Sequence, residues 1–244
     1  MLDLILIVAL AVVFASSLWY FVPWVVRRVQ TRSLRQLCAQ KRAIVLTFDD
    51  GPSESFSSNL ADFLEARNAR ATFFLIGENA TNHSDFALKL HDSGHEIGSH
   101  TRHHTNAWQT PPVRSIRDVM AGREDLKGIG IQTHLFRPPF GKITLGSLIY
   151  ASRVRDRLAF WTIDSRDSWA PRPVKDVLKD VQSQGGGVIL MHDFERPLRG
   201  PNPEGHKDYV ISLTGALLDF ADKHDFAIMR FGDLFDNAAG ASAR

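Results

Sequence analysis

The sequence predicts an α/β fold: a parallel sheet of about seven strands with helices on its outer side, preceded by one transmembrane helix. Three observations lead there. Short apolar or β-rich runs recur between helical patterns, polar residues gather just past the C-terminal ends of those runs, and a charge-free apolar stretch opens the chain. Composition sets the outer bounds. With 244 residues, 44% hydrophobic and 23% charged, the chain is neither a disordered polar chain nor a polytopic membrane protein. A net charge of +2, from 29 basic and 27 acidic residues, gives no basic excess of the kind that marks a nucleic-acid binder. The single cysteine, Cys38, supports neither a disulfide framework nor a cysteine metal cage, so any metal falls to carboxylates and to the 10 histidines.

From Leu4 to Val26 no residue is charged, and only Ser16, Ser17 and Pro23 interrupt the apolar run. About 20 such residues suffice to cross a bilayer core as a helix. A secretory signal peptide would start on basic residues and end at small ones; here only Asp3 precedes the run, and apolar residues continue past Val13-Phe14-Ala15. Residues 1–26 are therefore read as an uncleaved anchor, held in membrane lipid through residues 4–26. Trp19, Tyr20 and Trp24 stand at its far end, where amphipathic rings settle among headgroups. Residues 27–42 follow as a basic juxtamembrane linker carrying Arg27, Arg28, Arg32, Arg35, Lys41 and Arg42, with Leu34 and Leu37 free to lie on the membrane surface. The positive-inside rule then puts the rest of the chain on the cytoplasmic face of a bacterial-type inner membrane, with the extracytoplasmic face as the alternative. Cys38, in this flank, offers a thiol for testing that topology.

Residues 43–244 contain no low-complexity stretch, fixed-period repeat or linker and are read as one domain. The strand candidates are residues 43–48, 71–76, 95–99, 133–136, 158–163, 187–191 and 226–231. Between them Leu60, Phe63 and Leu64, and again Val174, Val177, Leu178 and Val181, recur at helical spacing. Asp49 and Asp50 follow the first run, His100 the third, Arg137 the fourth, Asp164 and Asp167 the fifth, and His192 the sixth. A closed α/β barrel builds its active site on that rim. An open doubly wound sheet also places ligands there but usually carries a glycine-rich phosphate turn, which is not found.

Five clusters carry the chemistry. In Thr47-Phe48-Asp49-Asp50-Gly51-Pro52, two adjacent carboxylates repel unless a cation compensates, although Asp and Gly-Pro also suit a plain capped turn. In His100-Thr101-Arg102-His103-His104 the outer histidines, four apart, are expected on one helical turn, facing the same way while His103 points elsewhere. With Asp50 they make a His, His, Asp set with open positions, the make-up of a catalytic rather than a closed metal site. Arg137-Pro138-Pro139-Phe140-Gly141 is a rigid loop. The stretch from Trp161 to Trp169 sets Asp164 and Asp167 after a buried strand, and Val188-Ile189-Leu190-Met191-His192-Asp193 ends another on a histidine.

Together, in this order, the five resemble the polysaccharide deacetylases of the NodB-homology type, carbohydrate esterase family 4, over about residues 43–232. The resemblance implies a distorted (β/α) barrel and a metal-dependent hydrolase acting on the non-peptide amide of an N-acetylated sugar. It implies Asp49 as general base, Asp50, His100 and His104 as metal ligands, Arg137 orienting the base, and His192 as general acid oriented by Asp167. Phe140, in place of the commoner tyrosine, would offer a backbone N–H to the oxyanion, and Leu190 would line the acetyl pocket. Trp169 would complete that pocket, although Ser168 here separates it from Asp167 where the family usually has them adjacent. Zinc is the expected metal, with cobalt, nickel or manganese able to replace it. A cytoplasmic domain would take a lipid-linked sugar, and Arg199, Lys207 and the 197–203 loop are candidates to receive a glycolipid phosphate. An exported peptidoglycan- or chitin-type deacetylase and a catalytically silent sugar-binding protein are the alternatives.

Overall fold

The fold is that of a computed structural model, which describes residues 2–194 and 205–236. At its centre lies strand β1 (Ala43–Asp49). On one side of it come β2 (Thr72–Leu75), β3 (Glu96–Ser99), β4 (Leu135–Phe136) and β5 (Arg157–Leu158); on the other come β7 (Gly187–His192) and then β6 (Ile163–Asp164). All pairings are parallel. A short β8 (Ala227–Met229) pairs with the first half of β1, below the point where β2 begins opposite Thr47. Helices α2 (Phe56–Ala66), α3 (Gly77–Asn82), α4 (Ser84–Asp92), α5 (Pro112–Gly128), α6 (Leu145–Arg153), α7 (Val174–Gln184) and α8 (Gly205–His224) supply the crossovers.

Every residue of β1 is buried, as expected for a parallel strand covered on both faces. Ile44, Leu46 and Phe48 join an outer core with Leu60, Val177, Val181 and Leu217 of the helices. Ala43 and Val45 join an inner core with Phe74, Val188 and Phe231. Thr47 and Asp49 continue that inner face upward, so the strand's period of two delivers Asp49 to the interior of the C-terminal rim.

The run expected as one strand over residues 158–163 is instead two bridges at opposite ends of the sheet. The Ala159 N–H donates to the Phe136 carbonyl (2.9 Å), whereas the Thr162 N–H donates to that of Val188 (3.0 Å). Buried Phe160 and half-buried Trp161 carry the chain across. One segment thus closes the barrel where a strand ladder would otherwise do so, and the barrel is distorted for that reason.

The N-terminal helix α1 (Leu2–Lys41) is long and apolar enough to cross a membrane by length and composition, as an anchor or a signal sequence does. Residues 27–41 are its continuation rather than a linker. Leu34 and Cys38 are buried in the inner core instead of lying on a membrane surface, which also masks the Cys38 thiol from any reagent. The amphipathic spacing of Leu34 and Cys38 at i and i+4 makes this packing possible. The Lys41 ammonium donates to the carbonyls of Asp233 (3.2 Å) and Asp236 (2.8 Å), and left-handed Arg42 (φ 46°) turns the chain back into β1. At the other end Arg27 Nη1 donates to the Gly141 carbonyl (3.0 Å), in the loop after β4. At 1.5 Å per residue the helix from Arg27 to Lys41 rises about 21 Å, close to the roughly 23 Å of a seven-residue strand. It therefore spans the barrel's height, and its apolar half continues past Arg27 on the side of the C-terminal rim, with Val26 still packed against the inner core and Pro23 buried. There the Tyr20 ring meets Trp108 edge-on at 5.7 Å.

Candidate active site

Arg137, fully buried, fills the barrel beneath Asp49. Its Nη1 donates to Asp49 Oδ1 (2.6 Å) and Thr47 Oγ1 (2.8 Å), its Nε to the Ala159 carbonyl (3.1 Å), and its Cζ stands 4.0 Å from the Phe74 ring centre. Burial pushes the Asp49 carboxyl above the usual carboxylate range, and Arg137 offsets part of that rise. Asp49 is thus a fixed carboxylate with raised proton affinity.

Asp50 leaves the strand in the left-handed region (φ 77°), redirecting its carboxylate. Its Oδ1 lies 3.5 Å from His100 Nε2 and 3.1 Å from His104 Nε2. The histidines come together differently from the expected helical turn. The His100 N–H still donates to the Leu75 carbonyl (2.9 Å), extending the β-ladder, so no helix can begin there. A loop with left-handed Thr101 (φ 65°) and His104 (φ 56°) brings the two rings to 5.0 Å instead. The loop is tied to α5. Asp118 accepts from the His103 N–H (3.1 Å) and the Thr105 hydroxyl (2.7 Å), and its carbonyl from the Arg102 N–H (3.1 Å). His103 itself points away, to Glu78 (3.3 Å).

The three candidate ligand atoms fit one divalent ion. They all lie within 4.8 Å of one another. A tetrahedral ion with bonds of about 2.0–2.1 Å has ligand-to-ligand edges of about 3.4 Å, and the carboxylate-to-imidazole separations bracket that value. Two imidazoles and one carboxylate suit zinc and its neighbours in the first transition row. His100 Nδ1–H donates to the Arg137 carbonyl (2.7 Å), which leaves Nε2 as a lone-pair donor. Burial, reinforced by His104, holds the His100 pKa down to about 3, so the ring is neutral.

On the other flank, His192 ends β7. Its Nδ1–H donates to Asp167 Oδ1 (2.9 Å) and its backbone N–H to Asp167 Oδ2 (2.8 Å). Burial opposes charge on His192, but Asp167 outweighs it and raises the pKa to about 10. Burial likewise opposes the Asp167 carboxylate, yet His192 and His206 hold it well below the usual range. The ring is therefore an imidazolium at neutral pH, fixed by one nitrogen and able to give a proton from the other.

Phe140, also left-handed (φ 58°), sets its ring 4.7 Å from that of His104. Leu190 is buried on the same face of β7 as His192, two residues before it. Trp169 is not brought to this group: it is 62% exposed, with Arg166 5.3 Å over its ring. Arg199 and the 197–203 loop lie outside the described residues, and Lys207 donates to the Ser55 hydroxyl (3.1 Å).

Several contributors escaped the sequence reading. His206 of α8 donates through Nε2 to Asp167 Oδ2 (3.0 Å), and the Ser165 hydroxyl to Asp167 Oδ1 (2.8 Å). Asp193 is buried beneath Gly51, where a Cβ would come 2.2 Å from Asp193 Oδ2, and the Ser57 hydroxyl donates to that oxygen (2.5 Å). Burial pushes the Asp193 carboxyl up to about 7. Asp193 and Ser165 stand inside clusters already noted; His206 belongs to no motif.

A candidate divalent-ion site on the rim of a parallel barrel, with an arginine-held carboxylate on one side and an acid-paired histidine on the other, is the arrangement of a metal-dependent hydrolase. The family model for polysaccharide deacetylase matches residues 36–156. Two peptidoglycan-N-acetylglucosamine deacetylases of Bacillus cereus are 32% and 30% identical over 155 and 157 residues, 62% and 63% of this chain. The chain spans 56% of the first and 73% of the second. The crystal structure of the Bc1960 peptidoglycan N-acetylglucosamine deacetylase, in complex with an N-oxidanyl-benzamide, superposes with a TM-score of 0.69 at 26% identity, over 81% of this chain and 89% of that one. The chain belongs to the polysaccharide deacetylase family, carbohydrate esterase family 4.

Proposed function

We propose that the chain is a membrane-anchored deacetylase that hydrolyses the N-acetyl amide of an amino sugar carried on a membrane lipid, with its catalytic domain on the cytoplasmic side. Asp50, His100 and His104 would hold a divalent ion, zinc by donor type, which would supply Lewis-acid polarisation of the amide carbonyl and of water. Asp49, oriented by Arg137, takes the proton from the attacking water. The Phe140 backbone N–H meets the tetrahedral oxyanion and Leu190 lines the acetyl pocket. His192, fixed by Asp167, protonates the departing amine, giving acetate and a free amino sugar. The single observation that carries the chemistry is the arrangement around the candidate ligand atoms, which lie within 4.8 Å of one another: Asp49 is held by Arg137 (2.6 Å) on one side and His192 by Asp167 (2.9 Å) on the other.

The lipid-linked substrate is supported by α1. Its apolar half leaves the barrel on the same side as the catalytic rim, so an anchored chain presents that rim to the bilayer. The relatives described above are named for peptidoglycan, and an exported polymer deacetylase is the second reading. Acetate release should be measured on an N-acetylated amino sugar linked to an isoprenoid phosphate, on chitooligosaccharide, and on a nucleotide-linked sugar. The lipid-linked sugar should give the highest kcat/KM, and a chelator should abolish turnover until Zn2+ or Co2+ is returned. Preference for the oligosaccharide would favour the exported reading.

A further inference from the structure

Between α1 and the barrel-closing segment lies a cavity of about 370 Å³ whose wall includes Arg27, Arg28, Arg32, Arg35, Trp161 and Asp164. We propose that it is the binding site for the phosphate of the lipid that carries the amino sugar, an inference that rests on the lipid-linked reading above.

Arg28, Arg32 and Arg35 recur at i, i+4 and i+7, so one helix face stacks three like charges that repel at every step. Among the described residues none of the three has an ion-pair partner; Arg28 only overlies the Trp24 ring at 4.8 Å. Asp164 is the one acid in the wall, and its Oδ1 already accepts from the Arg166 N–H (2.8 Å). The site is therefore strongly cationic and prebuilt, because Arg27 is fixed by its bond to Gly141 and lies 5.1 Å over the Trp161 ring. A phosphate or diphosphate ester matches it, offering multiple charge and acceptor oxygens to forked guanidinium donors.

Depth and direction fit the same ligand. The arginines begin directly after Val26, where the charge-free run ends, at the level where the phosphates of membrane lipids lie. The cavity also adjoins the chemistry. Asp164 is in register with Leu190, two residues before His192. The Trp161 ring also stands 5.8 Å from Arg137 Cζ, and Arg137 holds Asp49. The wall of the phosphate site and the buried arginine beneath the base thus meet at the same indole.

The test uses the full chain in detergent micelles, with farnesyl phosphate as the probe and tryptophan fluorescence as the readout. Farnesyl phosphate should bind, and farnesol should bind at least about tenfold more weakly. The double variant Arg28→Gln/Arg32→Gln should weaken probe binding by about tenfold or more. Lys175→Gln/Lys179→Gln, which removes two charges from exposed positions of α7, should leave it unaltered. Unchanged binding in the arginine variant, an equal loss in the lysine variant, or displacement of the probe by equimolar phosphatidylglycerol would each overturn the proposal. Expected binding without acetate release from the lipid-linked sugar would keep the phosphate site and remove the substrate reading. Acetate release with binding indifferent to Arg28 and Arg32 would do the reverse.

Discussion

At the scale of single residues, the pair His192 and Asp167 has the most consequence for pH. Asp167 keeps His192 protonated up to about pH 10 against the penalty of burial. In the Asp167→Asn variant that support is gone, so the alkaline limb of the kcat/KM profile should move to lower pH. The loss should grow with pH, reaching on the order of 10²-fold near pH 8. An unshifted limb would show that another group sets the acid. Stability follows the same pair. A histidine raised above its unfolded value of 6.5 contributes fully below that pH and loses its contribution as pH climbs towards 10. Asp49, Asp50, His100, His104, Arg137 and His192 were legible because each is fixed to a strand end or a short motif. His206 was not: it reaches Asp167 from a helix 39 residues further along the chain, and only folding makes them neighbours.

Elements show where local pattern misleads. Spacing of four suggested a helical turn for His100 and His104, but the ladder bond at His100 and the support of Asp118 impose a loop. The run from Leu158 to Ile163 looked like one strand because its residues are apolar or β-branched throughout, while its hydrogen bonds are divided between two edges. The basic composition of residues 27–41 concealed a packed helix, since two buried positions, Leu34 and Cys38, suffice to dock it. The contact of α5 with the metal loop gives a test at this scale. A Cβ on Gly122 would lie 2.3 Å from the Thr101 carbonyl carbon, so helix and loop touch through backbone. Gly122→Ala should therefore cost about 1–3 kcal/mol by overpacking, read from denaturant unfolding, and should reduce metal occupancy in the purified protein. Full occupancy at unchanged stability would mean the loop yields freely.

For the whole molecule, the orientation of the domain is the open quantity that the fold makes measurable. Because Cys38 is sealed in the inner core, a cysteine placed at exposed Lys175 of α7 becomes the reactive thiol among the described residues. An impermeant maleimide should label Lys175→Cys only after the inner membrane is opened. Labelling in cells whose outer barrier alone is permeabilised would place the domain outside.

Arg27, Lys41, Leu34 and Cys38 fasten α1 to the barrel from rim to rim, and no loop intervenes before the apolar half. Leu4 to Val26 rises roughly 34 Å as a helix, a few ångströms more than the hydrocarbon thickness of a typical bilayer. Such a helix leans to bury its excess length, and here the barrel must lean with it. Acyl-chain length then becomes a control on catalysis. In bilayers of graded thickness, turnover of a lipid-borne substrate should pass through an optimum, while a soluble oligosaccharide, indifferent to the angle of approach, should be hydrolysed at one rate throughout.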